Sequence, residues 1–194
     1  MNEQLMWYVT RSSGLVSWGL CSAAVIWGLA LSTRALGKKP PAPWLLDLHR
    51  FLGGLSVVFV AVHVGGAVAD NYVHFGWADV LVPMASEWRP GAVAWGVVGL
   101  YVLVAIELTS LLMRRLPKKL WHTVHLTSFV LFVSATIHGL AAGADADNPV
   151  YQWAALLSCS AVLFFTLYRF MAPRRAARRG GPVPAPSGRA PVPA

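Results

Sequence analysis

The sequence predicts an all-α membrane protein, a bundle of about five transmembrane helices with its N-terminus outside and its C-terminus in the cytoplasm. Three observations predict it. The 194 residues are 56% hydrophobic and only 12% charged, whereas soluble domains carry about 25% charged residues. Five stretches approach the roughly 20 mainly apolar residues that a spanning helix needs. The basic residues fall in short clusters between those stretches. Nine Trp, five Tyr and eight Phe are more apolar bulk than a small water-facing surface could hide. This composition excludes a disordered chain and argues against a soluble globule. The net charge of +8 does not indicate nucleic acid, because the positive residues flank apolar runs instead of forming one patch. Cys21 and Cys159 both lie in apolar runs and make neither a CxxC knuckle nor a disulfide framework.

The five spans are predicted over 12–33, 48–69, 91–112, 120–142 and 150–171. The first lacks a basic leader and a small-residue cleavage site, so it reads as a span and not as a secretory signal. Pro40, Pro41 and Pro43 mark the first connection, Pro83 and Pro90 the second, Pro117 the third and Pro149 the fourth. Each disfavours helix in the residue before it. Between spans two and three, Tyr72 to Trp88 is too long for a tight turn. It is expected to lie as a short amphipathic segment at the interface, with Phe75, Trp77, Val80 and Leu81 toward lipid. From residue 173 the chain becomes Arg-, Ala-, Pro- and Gly-rich, a composition that cannot bury enough surface to order. The expected division is a membrane domain over 1–172 and a disordered basic tail over 173–194.

Orientation follows from the excess of Lys and Arg on cytoplasmic loops. Arg34, Lys38, Lys39 and Arg50 flank the first connection, and Arg114, Arg115, Lys118 and Lys119 the third. Arg169, Arg174, Arg175, Arg178, Arg179 and Arg189 belong to the C-terminal end, leaving only Arg11 and Arg89 for the opposite side. That opposite side carries Glu3, Asp70, Asp79, Glu87, Asp145 and Asp147.

Four histidines form a pattern within this topology. His49 and His63 stand 14 residues apart in span two, and His125 and His138 stand 13 apart in span four. At a rise of 1.5 Å per residue these are separations of about 21 and 20 Å. Both spans run from the cytoplasm outward, so His49 and His125 share an inner depth and His63 and His138 an outer one. Two imidazoles facing each other at one depth are what a six-coordinate haem iron requires, and facing helices of a bundle are where such sites are built. Two such pairs would enclose two stacked haems, an electron path across the bilayer. The angular arithmetic fits span two, where 14 residues fall about 40° short of four turns. In span four, 13 residues fall about 140° short, so its two histidines share a face only if that span carries a bulge or the haems are staggered. The alternative for all four is hydrogen-bonded core histidines or a proton relay. Gly53, Gly54, Gly65 and Gly66 follow His49 and His63 and are read as room for a flat macrocycle.

The segments WYVTRSSGLVSWGL (7–20), DLHRFLGGLSVVFVAVHV (47–64) and LWHTVHLTSFVLFVSATIHG (120–139) resemble the ferric reductase-like transmembrane domain. That superfamily includes ferric reductases, NADPH oxidases and the haem subunit of the bacterial methionine sulfoxide reductase system. The resemblance covers about residues 7–171. It implies that His49 and His125 bind an inner b-type haem and His63 and His138 an outer one, four iron ligands in all. Arg11 lies in the stretch similar to the family's Arg-containing motif. A guanidinium forks onto carboxylates, so Arg11 is a candidate partner of an outer-haem propionate, as Arg50 is of an inner one. A snorkelling interface arginine and a positive-inside anchor are the respective alternatives.

Among the remaining polar residues, His122 is the alternative to His125 as ligand, and His74 is expected in the solvated outer connection. Glu107 is the one carboxylate well inside a span. It is expected to be protonated or paired, with His122 or Arg50 as partner, since an unpaired carboxylate is costly there.

Within these residues there is no GxGxxG, P-loop or nucleophile elbow, and no flavin or nicotinamide domain is expected. The electron donor is therefore expected to be a separate flavoprotein or quinol at the basic inner face. The acceptor is expected to be extracytoplasmic: ferric iron, a flavoprotein or a dedicated reductase that this chain would serve as haem subunit. The implied role is the electron-transfer component of an oxidoreductase, in a multi-pass position in what the Ala-, Gly-, Val- and Arg-rich composition suggests is a bacterial cytoplasmic membrane. From other classes, a haem-free proton-coupled transporter or channel using His and Glu107, or a structural scaffold, would fit the same hydropathy.

Overall fold

A computed structural model describes residues 4–35, 37, 40–70 and 74–171. The tail over 173–194, and Glu3, Lys38, Lys39 and Tyr72, lie outside the described residues. The described chain is helical throughout its regular structure: α1 (Leu5–Thr33), α2 (Ala42–Ala69), α3 (Trp77–Leu81), α4 (Pro90–Leu111), α5 (Lys118–Leu126), α6 (Ser128–Ala142) and α7 (Pro149–Met171). Five helical spans are long and apolar enough to cross a membrane, with α5 and α6 together forming the fourth.

The prolines act as helix starts. Pro43 sits in the first turn of α2, Pro90 opens α4 and Pro149 opens α7, while Pro117 precedes α5. At those positions the missing N–H has no intrahelical partner to lose, and the fixed φ suits the helix. At the far end of α1, Arg34 adopts a left-handed conformation (φ 53°), and its N–H reaches the Ala30 and Leu31 carbonyls. The chain thus stops and reverses toward α2.

In the bundle, α1 lies along α2 and also meets α6 and α7, while α4 lies along α6. Cys21, Leu103, Ile106 and Leu131 join α1, α4 and α6 in one buried cluster, and Val25, Leu29, Phe132 and Val162 join α1, α6 and α7 in another. Ser13, Ser17, Ser56, Ser134 and Thr136 are also buried. Phe51, Leu157, Leu163 and Phe170 are by contrast exposed. Small polar residues inside and large apolar ones outside are the arrangement expected where lipid replaces water, because small side chains let helices approach closely.

Two expectations need correction. Val80 of α3 is buried, and Phe75 packs edge-on against Trp88 at 5.9 Å, so only Trp77 and Leu81 of the four named residues face outward. The fourth span is not one continuous helix. Thr127 interrupts it, its N–H reaching back three residues to the Val124 carbonyl (2.9 Å) and its Oγ1 donating to the same carbonyl (2.6 Å). This break falls between His125 and His138, where the angular arithmetic asked for either a bulge or staggered haems.

Candidate functional site

The four histidines meet in two pairs. The rings of His49 (α2) and His125 (α5) have centres 5.8 Å apart, and those of His63 (α2) and His138 (α6) have centres 6.1 Å apart. Pairing in this sense requires α2 and the α5–α6 span to run in the same direction. All four rings are half-buried. His122 is exposed on the outside of α5 and His74 is exposed in the loop before α3; neither joins a pair.

Three of the rings are held by the main chain of a neighbouring helix. His49 Nδ1 lies 3.0 Å from the Ala24 carbonyl oxygen, His63 Nδ1 2.8 Å from that of Thr10, and His138 Nδ1 2.9 Å from that of Ala92. A carbonyl only accepts, so each Nδ1 carries the proton and donates it. The nitrogen left with a lone pair is therefore Nε2, and a second hydrogen bond of this kind is what orients metal-ligating histidines. Each such bond contributes about 0.5–1.5 kcal/mol net. Among the described residues His125 Nδ1 is buried without a hydrogen-bond partner, and its ring stacks on Trp121 at 5.1 Å.

The seats of the three held rings are glycines on the partner helices. A Cβ at Gly14 would stand 2.8 Å from His63 Nδ1, one at Gly96 2.8 Å from His138 Nδ1, and one at Gly28 3.1 Å from His49 Cε1. The glycines read from the sequence as room for a macrocycle behave differently. Gly53 receives the Glu107 carboxylate and Gly66 packs on Thr10 of α1, while Gly54 and Gly65 have nothing within 4 Å. The signal that would have found the two seats on α1 was present. Gly14 and Gly28 repeat at the same 14-residue interval as His49 and His63, as two antiparallel helices in fixed register require.

The other expected partners are rearranged. Glu107 lies against Gly53 and makes no ion pair with His122 or Arg50 among the described residues. Arg50 is instead exposed and sits 3.7 Å from Asp47, one turn earlier. Arg11 forks onto Asp145 in the loop before α7: its Nε donates at 2.6 Å to Oδ2 and its Nη2 pairs with Oδ1. The guanidinium also lies over the Trp7 ring, 4.9 Å from its centre. At the same end, Arg89 Nη1 donates to the Ala141 carbonyl at 2.8 Å.

The hydrogen bonds from Arg11 hold the Asp145 carboxyl below its ordinary range, against the opposing effect of partial burial. A carboxyl lowered in the folded state stabilises it above the unfolded value of about 3.9, and this stabilisation is lost as pH falls through the folded value. Asp145→Asn is therefore expected to lower the melting temperature at neutral pH, with the difference from wild type closing below about pH 4. Thermal unfolding in detergent across pH checks this; a difference that persists unchanged at low pH contradicts it.

A family model described as ferric reductase like transmembrane component matches residues 13–136. The chain belongs to this family. No curated protein and no solved structure matches it. The match contains His49, His63 and His125 together with Gly14, Gly28 and Gly96, and ends two residues before His138. A ferric reductase-like transmembrane domain is a membrane electron-transfer module, and such domains generally bind haem. The residues fit that group. Each pair brings two imidazole rings together, with centres 5.8 and 6.1 Å apart, and imidazole is a ligand that suits iron. Among the described residues no cluster of three or more His, Cys, Asp or Glu side chains that could hold a metal ion occurs.

Proposed function

We propose that this ferric reductase-like protein is a membrane b-type cytochrome that passes single electrons across the bilayer through two haems. The observation that carries the proposal is the pairing of His49 with His125 and of His63 with His138, two facing pairs stacked along the same helices. Haem, when bound, supplies a one-electron iron couple whose potential depends on axial ligands, hydrogen bonding and burial.

In this reading His49, His125, His63 and His138 would hold the two haems through their imidazole nitrogens. With two protein ligands at each centre, transfer to the acceptor would be outer-sphere. Thr10, Ala24 and Ala92 hold three of the rings through their carbonyls, and the buried cluster of Cys21, Leu103, Ile106 and Leu131 excludes water from the interior. Arg11 and Arg50 stand near opposite ends as cationic residues for haem propionates, Arg11 by exchanging its Asp145 partner. With basic connections on the cytoplasmic side, His49–His125 is the inner pair and His63–His138 the outer. Electrons then run from a cytoplasmic flavoprotein or quinol to an extracytoplasmic acceptor such as ferric iron, a flavoprotein or a reductase.

The test is transmembrane reduction in liposomes. With haem-loaded protein, an impermeant reductant on one side is expected to reduce ferricyanide enclosed on the other. Liposomes carrying a variant with all four histidines replaced by Ala are expected to fall to the protein-free rate. Equal rates for wild type and that variant overturn the proposal. Ion flux without haem would favour a transporter.

A further inference from the structure

We infer that the main-chain carbonyls of Thr10, Ala24 and Ala92, uncovered by Gly14, Gly28 and Gly96, are positioning groups that fix the ligating nitrogen of three histidines, while His125 is held without one. The inference rests on the reading that the histidine pairs ligate haem iron. It makes the two centres unequal: both rings of His63–His138 are pinned, and only one ring of His49–His125.

The arrangement repeats. In each case the accepting carbonyl lies four residues before the glycine: Thr10 and Gly14, Ala24 and Gly28, Ala92 and Gly96. One helical turn separates these positions on one face, so the glycine opens the surface directly beside the carbonyl and the imidazole lies flat in the notch. Close approach to backbone is the use of glycine that any side chain abolishes. At Gly14 and Gly96 an added Cβ meets the ring at 2.8 Å, and at Gly28 at 3.1 Å. The seat is therefore tighter at the His63–His138 pair.

The fourth ring has no such notch. Among the described residues His125 Nδ1 is buried without a hydrogen-bond partner, and its ring is set by the stack on Trp121.

A histidine that donates from Nδ1 is a more basic ligand, which favours the oxidised metal. Displacing the ring from its carbonyl should therefore raise the potential of that centre alone. The experiment is a redox titration of the haem-loaded full chain, with haem counted per chain. Gly14→Ala and Gly96→Ala are expected to raise the potential of the same centre. Gly28→Ala is expected to raise that of the other by less. Gly19→Ala and Gly91→Ala, exposed and with no described atom within 4 Å of the added methyl, are expected to move neither. Two bound haems with unmoved potentials in Gly14→Ala and Gly96→Ala overturn this inference and leave the ligand reading intact. A wild-type chain that takes up no haem overturns both. If the alanine variants fail to fold, nuclear magnetic resonance of the reduced wild-type protein, ¹⁵N-labelled at histidine, decides. Three slowly exchanging ligand N–H protons and a fourth exchanging faster are expected, and four of equal protection overturn the inference.

Discussion

Replacing His63 with Ala is expected to halve the bound haem, from two per chain to one, and to leave the spectrum of the remaining centre unchanged. His63 and His138 face each other at 6.1 Å, so His138→Ala should remove the same centre, and the double variant should lose no more than either single one. That non-additivity is the signature of two residues acting as one unit. The fold should survive the change. The Thr10 carbonyl that His63 engages retains its place in the α1 ladder, and Gly66 still packs on Thr10. Haem quantified per chain by its pyridine complex reads the result. A His63→Ala protein with two haems would show that His63 is not a ligand.

His125→Ala is expected to remove the other haem, and His122→Ala to keep both. These histidines lie one turn apart on α5, and the sequence leaves either as candidate. In the structure His125 faces His49 at 5.8 Å and stacks on Trp121, whereas His122 is exposed. Because no carbonyl fixes His125, this centre is expected to lose haem first on partial denaturation. Loss of a haem in His122→Ala, with both retained in His125→Ala, would exchange their roles.

The bundle and the pairs were legible because they depend on length and period. Apolar runs of the membrane's thickness, basic clusters at alternate connections and two histidine intervals are quantities that a sequence carries directly. Helix starts were less so. The first helix begins at Leu5, not near residue 12, because Arg11 does not end it: its charge is met by Asp145 and Trp7. The second begins at Ala42, not near residue 48, carried by Pro43 in its first turn and by Asp47 and Arg50 on its exposed side. The Asp145 partner of Arg11 cannot be inferred from span composition, since it is 134 residues away.

The break at Thr127 was legible only indirectly. A single Thr in an apolar run has no distinctive signature, yet the angular shortfall between His125 and His138 asked for either a discontinuity between them or staggered haems. The roles of Gly53 and Gly66 were misread for a related reason. A sequence shows that a glycine leaves room but not which helix fills it, and here the room is taken by Glu107 and Thr10. The seats for the rings lie on α1 and α4, where only the matched 14-residue interval on α1 hinted at them.

The most direct measurement is a reduced-minus-oxidised absorption spectrum of the purified full chain, expressed with ample haem, with haem counted per chain. Two b-type haems per chain, both low-spin in each oxidation state, are expected from two bis-histidine sites. A folded chain with no haem signal under those conditions would contradict the electron-transfer function and leave the histidine pairs as part of a haem-free membrane protein.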